Sequence, residues 1–405
     1  MKIFKNLIHG IYEVLSKVLL EGKYPDLALK FLFAENKKWG ARDRKFVAEA
    51  CYDIIRFKRY YQYLGDITGI NGKDDIRDLT DICLLLTYED YRHELKNGEQ
   101  LLQSVQRRIN RDIPFAVRES VPDWLDAYGR TQLGMRWEPV ISALNKRAPL
   151  VIRANTLKIT REKLNDLLNK EGFTAKSDPL ASDSLILDEN KNVNKTEFFK
   201  NGFFEIQDTS SQNVGIFLAP EPGMRVIDAC AGGGGKSLHI ATLMKNKGKL
   251  ISMDVEQWKL DELKKRARRN GISIIESKVI EGSKTLKRLA GSADRVLLDV
   301  PCSGSGVFRR NPDAKWKLTP EQIEALIQTQ EEILRSYSRM VKPGGELVYA
   351  TCSIFPDENE NQVKKFLSAN NSFLLLEEKW FSPDKTGSDG FYMAKLKRIA
   401  ESADK

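Results

Sequence analysis

Histidine and paired cysteine are what this chain has least of. Its 405 residues hold three histidines and five cysteines, at positions 51, 83, 230, 302 and 352. No CxxC pair occurs, so neither a zinc site nor a disulfide framework is expected, and no metal is implied. In a reducing compartment these are free thiols, open to packing or to catalysis. No stretch approaches the roughly 20 apolar residues of a membrane span. The opening MKIFKNLIHGIYEVL is amphipathic and lacks the apolar core and small-residue cleavage site of a secretory signal. A cytoplasmic protein with no membrane partner is expected. Internal repeats, long low-complexity segments and coiled-coil signals are also missing, and a monomer is expected.

What is present is a soluble composition, 41% hydrophobic and 30% charged, in a chain longer than one ordinary domain. The net charge of +9 favours polyanionic partners, nucleic acid first, although charge alone leaves a merely well-solvated surface equally open.

The pattern divides the chain into three parts. Residues 1–135 read as all-helical, with Leu15, Val18 and Leu19, then Phe46, Val47, Ala50, Cys51, Ile54 and Ile55, at helical spacing. Basic and aromatic residues interleave in RFKRYYQYL (56–64), and RRINRD (107–112) adds more charge. Core packing is the favoured reading of these aromatics, with the arginines as a solvated face. Residues 136–205 mix short strands and helices. LVIRANTLK is a strand entering a turn. TREKLNDLLNKEG is a helix capped by Thr160 and stopped by Gly172. SLILDEN ends another strand, and the polar run from Asp188 to Glu197 reads as a loop. Residues 206–405 alternate strand and helix, the strands being MRVIDAC, KLISMDV, SIIESKVI, DRVLLDV, GELVYATC and GFYMAKLK. Thr319, Pro320 and Gln322 open one helix as a capping box, and Lys342–Pro343–Gly344–Gly345 follows it. The alternation predicts a doubly wound, Rossmann-like α/β domain that binds ligands at the carboxyl ends of its strands.

At the first such strand end lies Asp228-Ala-Cys230-Ala231-Gly232-Gly233-Gly234-Gly235-Lys236-Ser237. Consecutive glycines let a backbone pass close to a ligand, and the helix start behind them favours a negative group. Asp254 closes the second strand, where an acid about 20 residues on can hold ribose hydroxyls. A Walker A loop is ruled against because its first glycine would fall at Cys230. A GxGxxG dinucleotide loop matches poorly. Cys230 is placed in the cradle but read as structural.

Two more cysteines stand at strand ends, Cys302 in Asp299-Val-Pro301-Cys-Ser303-Gly-Ser-Gly and Cys352 in Thr-Cys-Ser. A lone cysteine is usually a buried small hydrophobe. Two at neighbouring strand ends, each in a turn with small residues, point instead to thiol chemistry. A free thiol has a pKa near ~8.5 and needs activation, and Lys236 is the nearest cation by topology.

These motifs carry a resemblance. DACAGGGGKS resembles the cofactor loop DxCAAPGGKT of the RNA 5-methylcytosine methyltransferases of the Sun/Nop2 family, also called the RsmB/NSUN group, with Gly233 where proline is usual and a looser loop implied. LDVPCSGSGVFRRNPD, LVYATCSIFPDENE, FFEIQDTSSQNVG and SDGFYMAKLK fit too, so the similarity spans about residues 150–397. More faintly, WGARDRKFVAEACYDIIR is similar to the NusB-like RNA-binding domain of the bacterial ribosomal members, and RANTLK to the small α/β module before their catalytic domain.

The resemblance implies a class I fold, S-adenosylmethionine as methyl donor, and RNA as partner, small-subunit ribosomal RNA above others. It implies Cys352 as the nucleophile on cytosine C6, Cys302 as the residue assisting release, Asp299 as the acid near N3 and N4 of the base, and Lys236 beside the nucleophile. Asp228, Cys230, Ala231, Gly232–Gly235, Lys236, Asp254 and Asp299 would form the cofactor cradle, with Glu281 or a neighbour in place of the family's aspartate beside adenine. C5 is a poor nucleophile, so thiolate addition at C6 makes chemical sense, as do groups that neutralise the ring as charge develops. The base must be unpaired or flipped out. Pro301, Ser303, Arg309 and Arg310 either line its pocket or belong to an ordinary loop with solvated arginines. RNA binding through basic groups should weaken with salt.

Other readings stay open. A DNA cytosine methyltransferase would use the PC cysteine, yet no ENV tripeptide occurs and the second cysteine is foreign to that pattern. A transfer RNA methyltransferase, or a non-catalytic ribosome-assembly factor on the same fold, are the remaining alternatives.

Overall fold

Apolar residues at helical spacing give the first part of the chain a purely helical fold. A computed structural model describes residues 4–187 and 192–399, and these divide into two compact units. The first comprises residues 1–145 together with the inserted segment Phe308–Leu318. Its longer helices are Lys5–Leu19, Pro25–Glu35, Ala41–Arg56, Lys73–Thr87 and Gly98–Ile109. Ile11, Val14, Leu15, Val47, Ile54 and Leu84 meet in one core, and Cys51 and Cys83 are buried with them. Phe57, Tyr60, Tyr61 and Tyr63 pack on this core, as expected for the aromatics of RFKRYYQYL. The arginines there are not simply solvated. Arg56 donates to the Arg309 carbonyl at 2.9 Å and Arg59 bonds Asp123 at 2.6 Å.

The second unit comprises residues 146–307 and 319–405. A small antiparallel sheet has the order β2-β3-β1-β4, with β1 Leu150–Ala154, β2 Ala175–Ser177, β3 Ser184–Leu187 and β4 Phe204–Ile206. The helix Arg161–Lys170 is capped by Thr160, whose hydroxyl accepts from the Lys163 N–H at 3.3 Å. Of the expected loop after β3, residues 188–191 lie outside the described residues. The rest is a short turn of helix at Val193–Lys195 and another at Glu197–Lys200.

The larger sheet has seven strands in the order β10-β11-β9-β8-β5-β6-β7. They are β5 Arg225–Asp228, β6 Lys249–Asp254, β7 Ile275–Val279, β8 Ala293–Asp299, β9 Val341–Thr351, β10 Phe373–Phe381 and β11 Phe391–Arg398. The pairs among β5, β6, β7, β8 and β9 are parallel, while β11 runs antiparallel to both β9 and β10. This is the doubly wound, Rossmann-like sheet expected from the sequence. Strand order reverses between β5 and β8, which is where such folds open a crevice.

Two details differ from the sequence reading. The run FLLLEEKWF forms β10, an edge strand whose Leu374, Leu375 and Leu376 are exposed. Lys342–Gly345 does not precede a strand but lies within β9, where the register slips opposite Ala293–Arg295. Among the described residues no helix is long and apolar enough to cross a membrane, and no group of three or more His, Cys, Asp or Glu could hold a metal ion.

Candidate active site

The strand reversal brings together the ends of β5, β8 and β9. Asp228 pairs in register with Leu297, and Asp299 with Ala350. Each strand then runs out into a turn whose side chains face the crevice.

The turn after β5 is the glycine loop. Its backbone bends through positive φ at Gly232 (53°) and Gly234 (87°) before the helix Gly235–Leu243 begins. The looser loop implied by Gly233 is not what the fold builds. Arg266 donates to the Gly233 carbonyl at 2.6 Å and Arg153 to the Gly235 carbonyl at 3.2 Å. Arg266 is in turn held by Glu205 of β4, which also takes Arg269 and Asn270. Burial acts to push Glu205 up, but these partners outweigh it and hold its carboxyl below the ordinary value.

Asp228 is buried and accepts from the Ser237 hydroxyl at 2.6 Å, which itself accepts from Ser252. Burial first, then the charge of Asp299, push its carboxyl up to about 7 against the hydrogen bond from Ser237. Asp254 accepts from the backbone N–H of Gly232 at 3.0 Å and of Glu256 at 2.9 Å, which fixes both oxygens, and the Lys259 ammonium lies 3.6 Å from Oδ1. The Asp254 carbonyl accepts from Ile280 N–H at 3.0 Å, tying the end of β7 to the cradle. Glu281, the next residue, is exposed at this edge.

Such a cradle suits a nucleoside-bearing amino acid. A Cβ at Gly232 would meet nothing within 4 Å, so space lies open above the loop. The helix start can hold a carboxylate, and Asp254 can hold a diol.

Beside the cradle, the Lys236 ammonium donates to Asp299 Oδ2 at 2.7 Å and lies over the Phe391 ring at 5.1 Å. Burial works against its charge, yet Asp299, and then Cys352 and Asp228, hold Lys236 above its ordinary value. Among the described residues Asp299 Oδ1 has no protein partner, and it remains available to a ligand.

Cys302 and Cys352 meet with their sulfurs 3.3 Å apart. Their hydrogen bond is the largest cause pushing the Cys302 thiol well up, followed by burial and by the charges of Cys352 and Glu358. The Gly306 N–H donates to the Cys352 carbonyl at 2.9 Å, lacing the two turns.

The remaining expected residues fall differently. Pro301 is exposed, and its carbonyl accepts from Gln330 at 3.0 Å. Ser303 turns inward, its N–H donating to Glu358 Oε1 at 2.7 Å and its hydroxyl to Glu358 as well. Arg309 is neither an open pocket wall nor a solvated arginine. It is 4% exposed and, with Arg310, belongs to the helical unit because Phe308–Leu318 packs into that core. Glu358 was missed as a site residue. Its only sequence signal is its place in PDENE after the second cysteine.

A family profile described as 16S rRNA methyltransferase RsmB/F matches residues 215–397, and one described as an RsmF/B-like ferredoxin-like domain matches residues 121–194. The probable ribosomal RNA small subunit methyltransferase B of Synechocystis sp. is 30% identical over 409 residues, spanning 88% of this chain and 91% of that protein. The chain belongs to the RsmB/F methyltransferase family. A second RsmB relative, the probable small subunit methyltransferase B of Bacillus subtilis, is 35% identical over 303 residues, covering 70% of this chain and 68% of that protein. Among solved structures, that of PH0851 superposes on the RsmB/F chain with a TM-score of 0.82 and 27% identity, covering 98% of this chain and all of that one (100%). A methyltransferase homolog from Pyrococcus horikoshii covers 70% of this chain and 98% of its own length, at 29% identity and a TM-score of 0.63. RsmB/F enzymes take S-adenosylmethionine as methyl donor, in keeping with the donor set of the glycine loop.

Proposed function

We propose that this chain methylates C5 of a cytosine in small-subunit ribosomal RNA, with Cys352 as nucleophile and Cys302 as the release residue. The observation that carries the reading is the contact of two thiols at neighbouring strand ends, beside the Lys236–Asp299 ion pair. The named function of the relatives supports the choice of RNA. The chain's net positive charge of +9 is proposed to help hold the RNA, through its phosphates.

Bound in the cradle, S-adenosylmethionine supplies an electrophilic methyl group. Everything else falls to the chain's own residues. Cys352 bonds to C6 of the base as its proton passes, by way of solvent, to N3 of the ring. Lys236 offers a fixed positive charge where the thiolate develops. Asp299 Oδ1 accepts from the exocyclic amine or from protonated N3, stabilising the positive charge of the protonated ring as the bond to C6 forms. Electron density released at C5 is what the methyl group meets. The proton left on C5 must then be removed so that the C6–S bond can break. Cys302 fits that step in its timing. Its thiol is held protonated chiefly by Cys352; once Cys352 is tied up in a thioether, Cys302 can release its proton to solvent, and the thiolate then takes the proton from C5 as the C6–S electrons return to Cys352.

The test separates the two thiols. Cys302→Ala should accumulate a protein–RNA adduct that survives denaturing electrophoresis, and Cys352→Ala should form none. Bisulfite mapping of cellular RNA with and without the protein should locate the cytosine. Normal turnover in Cys302→Ala without adduct would overturn the division of roles.

A further inference from the structure

Glu358 is fully buried, yet it is a carboxyl residue in a short turn, Pro356–Glu358, that touches no solvent through its side chain. Burying a carboxylate is costly unless donors surround it. Here four converge. Oε1 accepts from the Ser303 N–H at 2.7 Å and from Gln330 Nε2 at 3.0 Å. Oε2 accepts from the hydroxyls of Ser303 and Ser353. Ser303 directly follows Cys302, and Ser353 directly follows Cys352. The next residue, Asn359, completes the frame by accepting from the Thr351 hydroxyl and donating to the Ser353 carbonyl at 3.0 Å. One buried carboxylate thus pins the turn after each of two strands that the sequence separates by about fifty residues.

We propose that Glu358 is the positioning residue of the two-cysteine site: it fixes the sulfurs in contact and, by its negative charge, keeps the proton of the sulfur–sulfur hydrogen bond on Cys302. The inference rests on the division of labour proposed above. The two thiols carry two protons. That of Cys352 leaves to solvent, and that of Cys302 stays, with Cys302 as donor in the sulfur–sulfur hydrogen bond, since a second anion beside Glu358 is disfavoured. The groups facing this pair are Cys352 itself, Glu358 and the Gly304 backbone on Cys302, Tyr349 beneath them, and Lys236 with Asp299 on the Cys352 side. On the Cys352 side Lys236 is paired with Asp299, so the unbalanced charge facing the pair is that of Glu358 beside Cys302, which favours the proton on Cys302.

Glu358→Gln keeps size and can keep all four bonds, its amide oxygen accepting from Ser303 N–H and Gln330 while its NH2 donates to the two hydroxyls. The charge is lost, and the Ser303 and Ser353 hydroxyls turn from donors to acceptors toward this side chain. In the full-length protein without RNA or methyl donor, alkylation by iodoacetamide, read at each cysteine by mass spectrometry across pH, should show the Cys302 profile moving to lower pH in Glu358→Gln by about one unit, with Cys352 moving less. Methyl transfer should fall about tenfold in kcat while KM for the donor stays within about twofold. Glu358→Ala, which removes the frame as well, should lose activity further. An unchanged Cys302 alkylation profile in folded Glu358→Gln would overturn the proposal. Because that profile needs no methyl transfer, a shifted profile in a protein whose Cys302→Ala variant turns over normally would retain the role of Glu358 and reject the reading of the reaction.

Discussion

A buried acid at the end of β5 ties stability to pH. Asp228 has its carboxyl pushed from 3.8 up to about 7. An acid harder to ionise in the fold than in the unfolded chain makes the native state bind more protons between those values. The stability it carries is therefore fully present below about pH 4 and is lost as pH rises through about 7. Asp228→Asn removes that dependence while keeping the bond with Ser237. The urea midpoint of wild type minus variant, measured without methyl donor, should decrease from pH 4.5 to pH 7.5. A constant difference would mean that Asp228 is ionised throughout. At this scale the sequence was informative where chemistry restricts the residue type: Cys302, Cys352, Lys236 and Asp299 all converge. It was silent on Glu358, one acid in an acidic run, because its role arises only when two distant turns close around it. It also misled on Arg309, whose burial follows from the packing of Phe308–Leu318 and not from any local pattern.

The glycine loop shows how one element divides its work between shape and binding. At Gly234, φ is +87° and a Cβ would lie 2.6 Å from Leu263 Cγ. At Gly232, φ is +53° and a Cβ would enter open space. Left-handed backbone costs an L-residue roughly 1–2 kcal/mol, and forced overpacking typically adds 1–3. Gly234→Ala should thus destabilise by about 2–5 kcal/mol, and Gly232→Ala by about 1–2 kcal/mol. Donor affinity should rank the other way relative to stability loss, since the Gly232 methyl projects where the ligand is expected. Urea unfolding and calorimetric titration of the donor together check this, and the same ranking in both would remove Gly232 from the cradle. The strands around this loop were readable because buried parallel strands form continuous apolar runs. β10 was not, since an exposed edge strand lacks both that run and clean alternation, as FLLLEEKWF illustrates. Lys342–Gly345 looks like a break, yet a bulge absorbs it within β9.

Across the whole chain, the least legible feature is that one compact unit is built from two pieces of sequence. The helical pattern of the first 135 residues was plain, but nothing in LDVPCSGSGVFRRNPD marks where the chain leaves the cysteine turn for another core. Several side chains of the inserted segment are buried there. Phe308 is 1% exposed, and Trp316 donates to the Ile55 carbonyl at 2.7 Å while Lys58 lies 4.0 Å over its ring. Lys315 is fully buried with its ammonium on Asn145 at 2.9 Å, and burial, followed by the charge of Arg56, pushes it well below its ordinary value. Removing residues 1–145 would therefore not yield a self-sufficient catalytic piece. It would strip Trp316 of the core it packs against, a loss below the about 1.5–3 kcal/mol of a fully buried side chain, and release the segment that directly continues the turn of Cys302. The truncated chain should melt well below the full-length protein and associate through the exposed apolar segment. Replacing Phe308 and Trp316 by serine in the truncated chain should restore a single monomeric species without restoring the melting temperature. Light scattering and thermal unfolding distinguish the cases: a truncated chain that is monomeric and as stable as the full-length protein would show that Phe308–Leu318 does not depend on the helical core.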